Sequence, residues 1–278
     1  MGESVPREIR VELPRNAFYT SEVVEGAVVV EVTNEVASRG LYLDFRGREE
    51  TEITRGSGKQ QHTYRSHVDH VHWRLPLQGE GRVPPGQHRI PFRFQIPEWA
   101  LPSYEGRHAW VRYKLTARLD VPLWLDTMWD GEIFVFYDRG AVRYFAQPVR
   151  FRSGGEGPEV YVELDGDRFF ARELIGCRIT LARLGERRLR RVYARLIGGE
   201  WARADSQEEM TEMFRNEVEV PADRIRVGVP FEVEIPIPGD VQSSYHGKLS
   251  YYSFVVQVGL DLAWASDVIA QTPIVVVR

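Results

Sequence analysis

The chain has 278 residues, enough for two domains of ordinary size rather than one. A hydrophobic fraction of 43% and a charged fraction of 27% exclude a disordered or fibrous chain. The net charge is −4, with 20 basic and 20 acidic residues up to position 150 and 16 and 20 beyond it. Neither half carries the basic excess that non-specific nucleic-acid binding needs.

The N-terminal MGESVPREIRVEL has no apolar core of a signal peptide, and Pro6 stands where a myristoylation signal needs Ser or Thr. No run approaches the ~18 apolar residues of a membrane helix, so no stable membrane insertion is expected. Cys177 is the only cysteine, which rules out an intrachain disulfide and a cysteine-based zinc site. A reducing, cytoplasmic setting is the expectation, with no cofactor.

From residue 27 onward the dominant signal is period two, which sets one face of a strand against a core and the other in water. Val28, Val30 and Val32 alternate with Ala27, Val29 and Glu31, and Leu41, Leu43 and Phe45 with Tyr42, Asp44 and Arg46. The same pattern returns at Phe92–Phe94–Ile96, Val111–Tyr113–Leu115, Val160–Val162–Leu164, Phe231–Val233–Ile235 and Phe254–Val256–Val258. Turns are expected at Pro84-Pro85-Gly86, Asp130-Gly131, Asp165-Gly166 and Pro238-Gly239-Asp240. Two strands are read as ending in glycine, at Gly47 and Gly198. Residues 205–215 (DSQEEMTEMFR) are expected to form a short helix, with Asp205 or Ser206 as cap and Met210, Met213 and Phe214 as an apolar stripe. Ser153 to Pro158 has no side chain able to build a core and reads as an interdomain linker. The fold class is therefore all-β: two tandem immunoglobulin-like β-sandwiches, at residues 1–152 and 159–278, joined by the linker 153–158.

The two halves say nearly the same thing. Pro91 opens PFRFQIP, followed by SYEG at Ser103, Tyr113, Leu119-Asp120 and Trp124; Pro230 opens PFEVEIP, followed by SYHG at Ser244, Phe254, Leu260-Asp261 and Trp264. From the SYxG block to the LD pair the offset is a constant 141 residues. Further upstream, Tyr19 to Gly26 parallels Phe169 to Gly176.

In the first half, GAVVVEV, GLYLDFRGREET, PPGQHRIPFRFQIP, LPSYEG and VRYKLTARLDVPLW resemble the arrestin N-terminal domain in order and spacing. The second half resembles the arrestin C-terminal domain more weakly. The resemblance implies two cupped β-sandwiches in a non-enzymatic adaptor or sorting scaffold. It lacks the helix-forming insert that receptor-type arrestins carry before the PF strand. With VVV leading straight to Arg278, no partner-binding tail is expected. The compact form looks more like the bacterial sporulation-control type or the retromer sorting subunit.

Four of the seven histidines, His62, His67, His70 and His72, fall within eleven residues. On one strand His70 and His72 share a face, with His67 and Asp69 near the other, so three ligands do not converge and no metal site is assigned. Arg183 to Arg195 holds six arginines against Glu186 alone. Arg187, Arg188, Arg190 and Arg191 are candidates for holding an anionic partner group, or for guarding a strand edge. Arg55 and Lys59 flank a glycine-rich loop in the position of the mobile contact loop of arrestins. It is not a phosphate loop, because it lacks the GxxxxGK[ST] spacing.

Asp120 and Asp261 read as structural, and Ser103 and Ser244 lack the setting of a nucleophile, so no catalytic residue is expected. Trp99, Trp110, Trp124, Trp129 and Trp264 read as core and rim anchors. The leading reading is a non-enzymatic scaffold that binds protein partners through sheet faces, an interdomain groove and loop tips. Self-association through strand edges is open. The alternatives are a metal-binding protein or metal-assisted enzyme built on the His67–His72 segment, and a lipid- or carbohydrate-binding sandwich.

Overall fold

The computed structural model describes residues 7–122 and 126–278; the Trp124 repeat position lies outside them. Among these, the strands of the first half are β1 (Arg7–Glu12), β2 (Ala17–Tyr19), β3 (Val23–Val32), β4 (Val36–Ser38), β5 (Gly40–Arg55), β6 (His62–Gln78), β7 (Gly81–Val83), β8 (Gly86–Gln95), β9 (Tyr104–Glu105), β10 (Ala109–Asp120) and β11 (Thr127–Phe136). A six-residue helix, α1 (Arg139–Tyr144), follows, capped by Asp138 Oδ1 on the Gly140 N–H. The second half holds β12 (Val149–Arg152), β13 (Glu159–Leu164), β14 (Arg168–Phe170), β15 (Leu174–Arg183), β16 (Leu189–Ala204), β17 (Gln207–Pro221), β18 (Phe231–Pro236), β19 (Tyr245–His246), β20 (Ser250–Leu262) and β21 (Val268–Val277).

The sequence repeat is a repeat of topology. In the first half one sheet runs β1-β3-β8 and the other β2-β11-β10-β5-β6, with β9 paired to β10. In the second half the matching orders are β13-β15-β18, extended by β12, and β14-β21-β20-β16-β17, with β19 on β20. Even the parallel pairs correspond: β2 lies on β11 with Phe18 opposite Val135, and β14 on β21 with Phe169 opposite Val276. Each half buries one face of each sheet. In the first, Phe94 of β8 meets Phe45 of β5 at 4.9 Å between ring centroids, which closes the sandwich core.

Geometry also explains the repeated strings. The Ser103 N–H donates to Val135 O (2.8 Å) while Ser103 Oγ accepts from Val135 N–H (2.9 Å). Ser244 does the same to Val276, at 2.7 and 3.0 Å. Ser21 and Arg172 hold positive φ of 64° and 73°, and their N–H groups donate to Ile96 O, in the IP pair of PFRFQIP, and to Ile237 O, in the IP pair that directly follows PFEVEIP. The serines are thus strand clasps.

Four local expectations change. Residues 207–221 form strand β17 rather than a helix, because the ladder to β16 runs from Gln207 opposite Ala204 to Pro221 opposite Arg191. A bulge there sets Phe214 opposite Gly198 and Glu212 opposite Gly199, leaving Met213 as the extra residue. Met210 therefore lies on the outer face opposite Trp201 and Phe214 on the inner face against Phe254, so the three residues form no single stripe. Residues 153–158 are not a linker: they turn β12 back onto β13, with Arg152 opposite Tyr161, and buried Ser153 Oγ accepts from Val160 N–H.

Asp130-Gly131 is not a turn but lies inside β11, where the missing side chain of Gly131 makes room for the Trp129 ring. Gly47 and Gly198 do not end their strands. They sit mid-strand under the crossing rings of Tyr113, and of Tyr252 and Phe254, which a Cβ would overlap.

The chain divides into two compact units, but not where composition suggests. The first takes residues up to 50, 66–105 and 110–136; the second takes 51–65, 106–109 and everything from 137.

Gly198→Ala should cost about 1–3 kcal/mol, the usual range for overpacking, read as a lower urea midpoint with an unchanged slope. Burial pushes the Cys177 thiol up to about 12, above its unfolded value near 8.5. Its contribution to stability is full below about pH 8 and declines as pH rises toward 12. A thiol reagent at pH 8 should label Cys177 only at the rate of unfolding; labelling faster than unfolding would contradict this burial.

Candidate functional site

β6 carries the histidines. Its inward-facing residues are even-numbered from Tyr64 to His70 and odd-numbered from Val71. The change of phase turns His70 inward and leaves His67, Asp69 and His72 outside. The expectation that His70 and His72 share a face is therefore corrected. His70 Nε2 lies 2.8 Å from Glu49 Oε2, with side-chain exposures of 11% and 0%. Asp69 is bound by Arg48 at 2.6 Å, whose hydrogen bond holds its carboxyl below the usual range. Among the described residues no group of three or more His, Cys, Asp or Glu is placed to hold a metal.

The glycine-rich loop between β5 and β6 is a tethered element of the second unit. Thr51 Oγ1 donates to Arg203 O at 2.7 Å. Arg55 donates to Glu208 O at 2.6 Å and pairs with the Glu209 carboxylate. Nearby, Glu200 is 1% exposed, and its two carboxylate oxygens accept from Arg107 N–H (3.1 Å) and His108 N–H (2.8 Å). A buried carboxylate is tolerable only when charge-assisted bonds of this kind satisfy it. Arg55 is therefore a fixed tie, whereas Lys59 stays exposed at the loop tip.

Sequence reading missed Glu200. Its signal is the shared Gly-x-Glu of Gly47–Glu49 and Gly198–Glu200, which leaves a buried glutamate in both halves.

The arginine hairpin separates into two groups. Arg191 is held by Asp261 (3.1 Å), Glu217 (3.4 Å) and Glu219, and Arg190 lies 3.6 Å from Asp261. Arg195 pairs with Glu217 and stacks 3.8 Å above the Tyr193 ring. These guanidiniums are neutralised by β17 and β20. Arg187 and Arg188, in the turn, are exposed and make no ion pair among the described residues.

Beside them, the Ala263 N–H donates to Arg188 O at 2.8 Å, which fixes the β20–β21 turn against the hairpin. Trp264 follows at φ +60° and is 95% exposed, so its reading as a core or rim anchor is corrected. Arg188, Leu189, Arg190, Pro221, Asp223 and Trp264 are among the residues lining a cleft of about 620 Å³.

A second feature lies on the outer face of the β16 sheet. Met210, Trp201, Tyr251 and His246 form one cross-strand row, with Trp201–Tyr251 and Tyr251–His246 stacked at 5.3 and 5.5 Å.

These features define a tandem β-sandwich protein with strand clasps in both halves and, in the second, loops that display an aromatic ring and arginines. Residues 7–135 match the family described as Arrestin (or S-antigen), N-terminal domain. Over that first half the chain is similar to arrestin-like proteins. It is similar to Arrestin domain-containing protein 4 of Mus musculus, 32% identical over 123 residues that cover 39% of this chain and 29% of the mouse protein. It is also similar to Arrestin domain-containing protein 17 of Caenorhabditis elegans, 24% identical over 143 residues covering 45% of this chain and 31% of the worm protein. The matched region thus spans about a third of those relatives.

Glu200→Leu, which leaves two buried N–H donors unmet, should cost about 2–4 kcal/mol. Hydrogen exchange at Arg107 and His108 should accelerate more than exchange in β13. Unchanged protection at both amides would remove the tie.

Proposed function

We propose that this chain is a non-enzymatic cytoplasmic adaptor whose second sandwich is of the arrestin C-terminal type and whose work is to bind protein partners. The reading rests on the arrestin N-terminal match together with one structural observation. The serine clasps, positive-φ corners and mid-strand glycines common to both halves are absorbed by the fold, whereas Trp264, Arg187 and Arg188 stand exposed on loops of the second half. Loops on a rigid scaffold are where recognition usually resides. Ser103, Ser244, Asp120 and Asp261, the residues a catalytic reading would use, are engaged in clasps and ion pairs. The candidate partner contacts are Lys59, Arg187 and Arg188, with Arg55, Arg190 and Arg191 holding the surfaces around them.

The test is affinity capture of the full chain from its native host, followed by purification of each captured protein and titration against the chain in a calorimeter. At least one should bind saturably in the micromolar range or tighter, with about one partner per chain. If every captured protein fails to bind when purified, the adaptor reading falls.

A further inference from the structure

The cleft beside Trp264 asks for an occupant. Its tryptophan is costly where it stands: a bulky residue at positive φ is strained, and at 95% exposure the ring recovers nothing by burial. Glycine or asparagine would suit that turn better. An exposed aromatic held against a backbone preference points to a contact made outside the fold. The turn is also well fixed. Ala263 N–H holds Arg188 O on one side, and Tyr193 OH donates to Asp267 Oδ2 at 2.9 Å on the other. A ring presented on a braced turn binds without a large ordering cost.

The charge around the cleft selects the partner. Arg190 and Arg191 are already matched by acids, so the unmatched positive charge sits on Arg187 and Arg188 in one turn and on exposed Arg224 and Arg226 in another. Val227 and Val229, exposed by 53% and 51%, follow Asp223 in the chain. Their turn is tied in by Gly228 N–H on Leu181 O. The opposing exposed acids are Glu186 and Asp223.

We propose that this cleft is a peptide-recognition site for an acidic segment of a partner protein. One apolar or aromatic side chain of that segment lies between Trp264 and Pro221, and its flanking carboxylates pair with Arg187 and Arg188. The site rests on the adaptor reading and gives it a place and a chemistry. A concave cleft with Asp223 in its wall suits an inserted side chain. It suits a flat anionic bilayer less, because Asp223 and Glu186 would repel the headgroups.

The probe is an array of synthetic peptides, each with one Phe, Trp, Leu or Pro in a Glu- and Asp-rich background. Binding to the full chain is followed by tryptophan fluorescence and by amide shifts at Ala263 to Asp267. Binding is expected on the order of 10–100 µM, weakened at least about tenfold by Trp264→Ala and by Arg188→Glu. Urea unfolding of both variants controls for folding, and Trp264→Ala should not lower the midpoint, since the ring is exposed.

The site is overturned if no peptide in the array binds, or if binding survives both substitutions. It is equally overturned if the chain binds phosphatidylserine vesicles through Trp264 while ignoring the peptides, since a membrane is then the occupant. A captured partner whose affinity is the same for Trp264→Ala and the unchanged chain overturns the site yet leaves the adaptor reading standing. Failure of every captured partner removes that reading instead.

Discussion

The buried carboxylate of Glu200 constrains the second unit more than any other single group. A charge taken out of water must find donors, and the donors here are two backbone N–H groups in the 106–109 loop. Once that loop is held, the outer ends of β5 and β6 have a fixed place beside it. Glu52 N–H donates to His108 O at 2.9 Å, and Thr51 and Arg55 complete the attachment through Arg203 and Glu208. This is why a compact unit drawn from contacts takes in two stretches of the first sequence half.

The repeat supplies the rigid part of the molecule. Serine clasps, positive-φ corners at Ser21 and Arg172, and mid-strand glycines under aromatic rings occur once in each half with closely matched distances. Such features leave little freedom to a binding role, because each side chain already has a structural duty. What differs between the halves is the outer surface. β5 and its neighbours carry paired charges such as Arg74–Asp44, Arg48–Asp69 and Lys114–Asp130. Around β16 the surface carries charge pairs too, such as Arg191–Asp261 and Arg195–Glu217, but adds the Trp201–Tyr251–His246 stack and, at the far turn, Trp264.

Long open edges are a hazard in such sheets, and the two long edge strands carry protection against pairing. β6 changes phase at His70 and Val71 and contains Pro76. β17 has a bulge opposite Gly198 and Gly199 and five glutamates along its length.

The sequence alone determined the all-β class, the tandem repeat and the family resemblance. These follow from period-two alternation and fixed offsets, which are local properties of the chain. The sequence could not place the unit boundary, because a Gly-rich hairpin turn and a linker share one composition. Nor could it divide the arginines: Arg191 and Arg188 look alike in the string, and only β17 and β20 bring acids to the first while leaving the second bare. Trp264 shows the limit most plainly. A tryptophan reads as buried until the turn that carries it is seen, and its exposure is a property of the tertiary fold, where φ and neighbouring loops are set together.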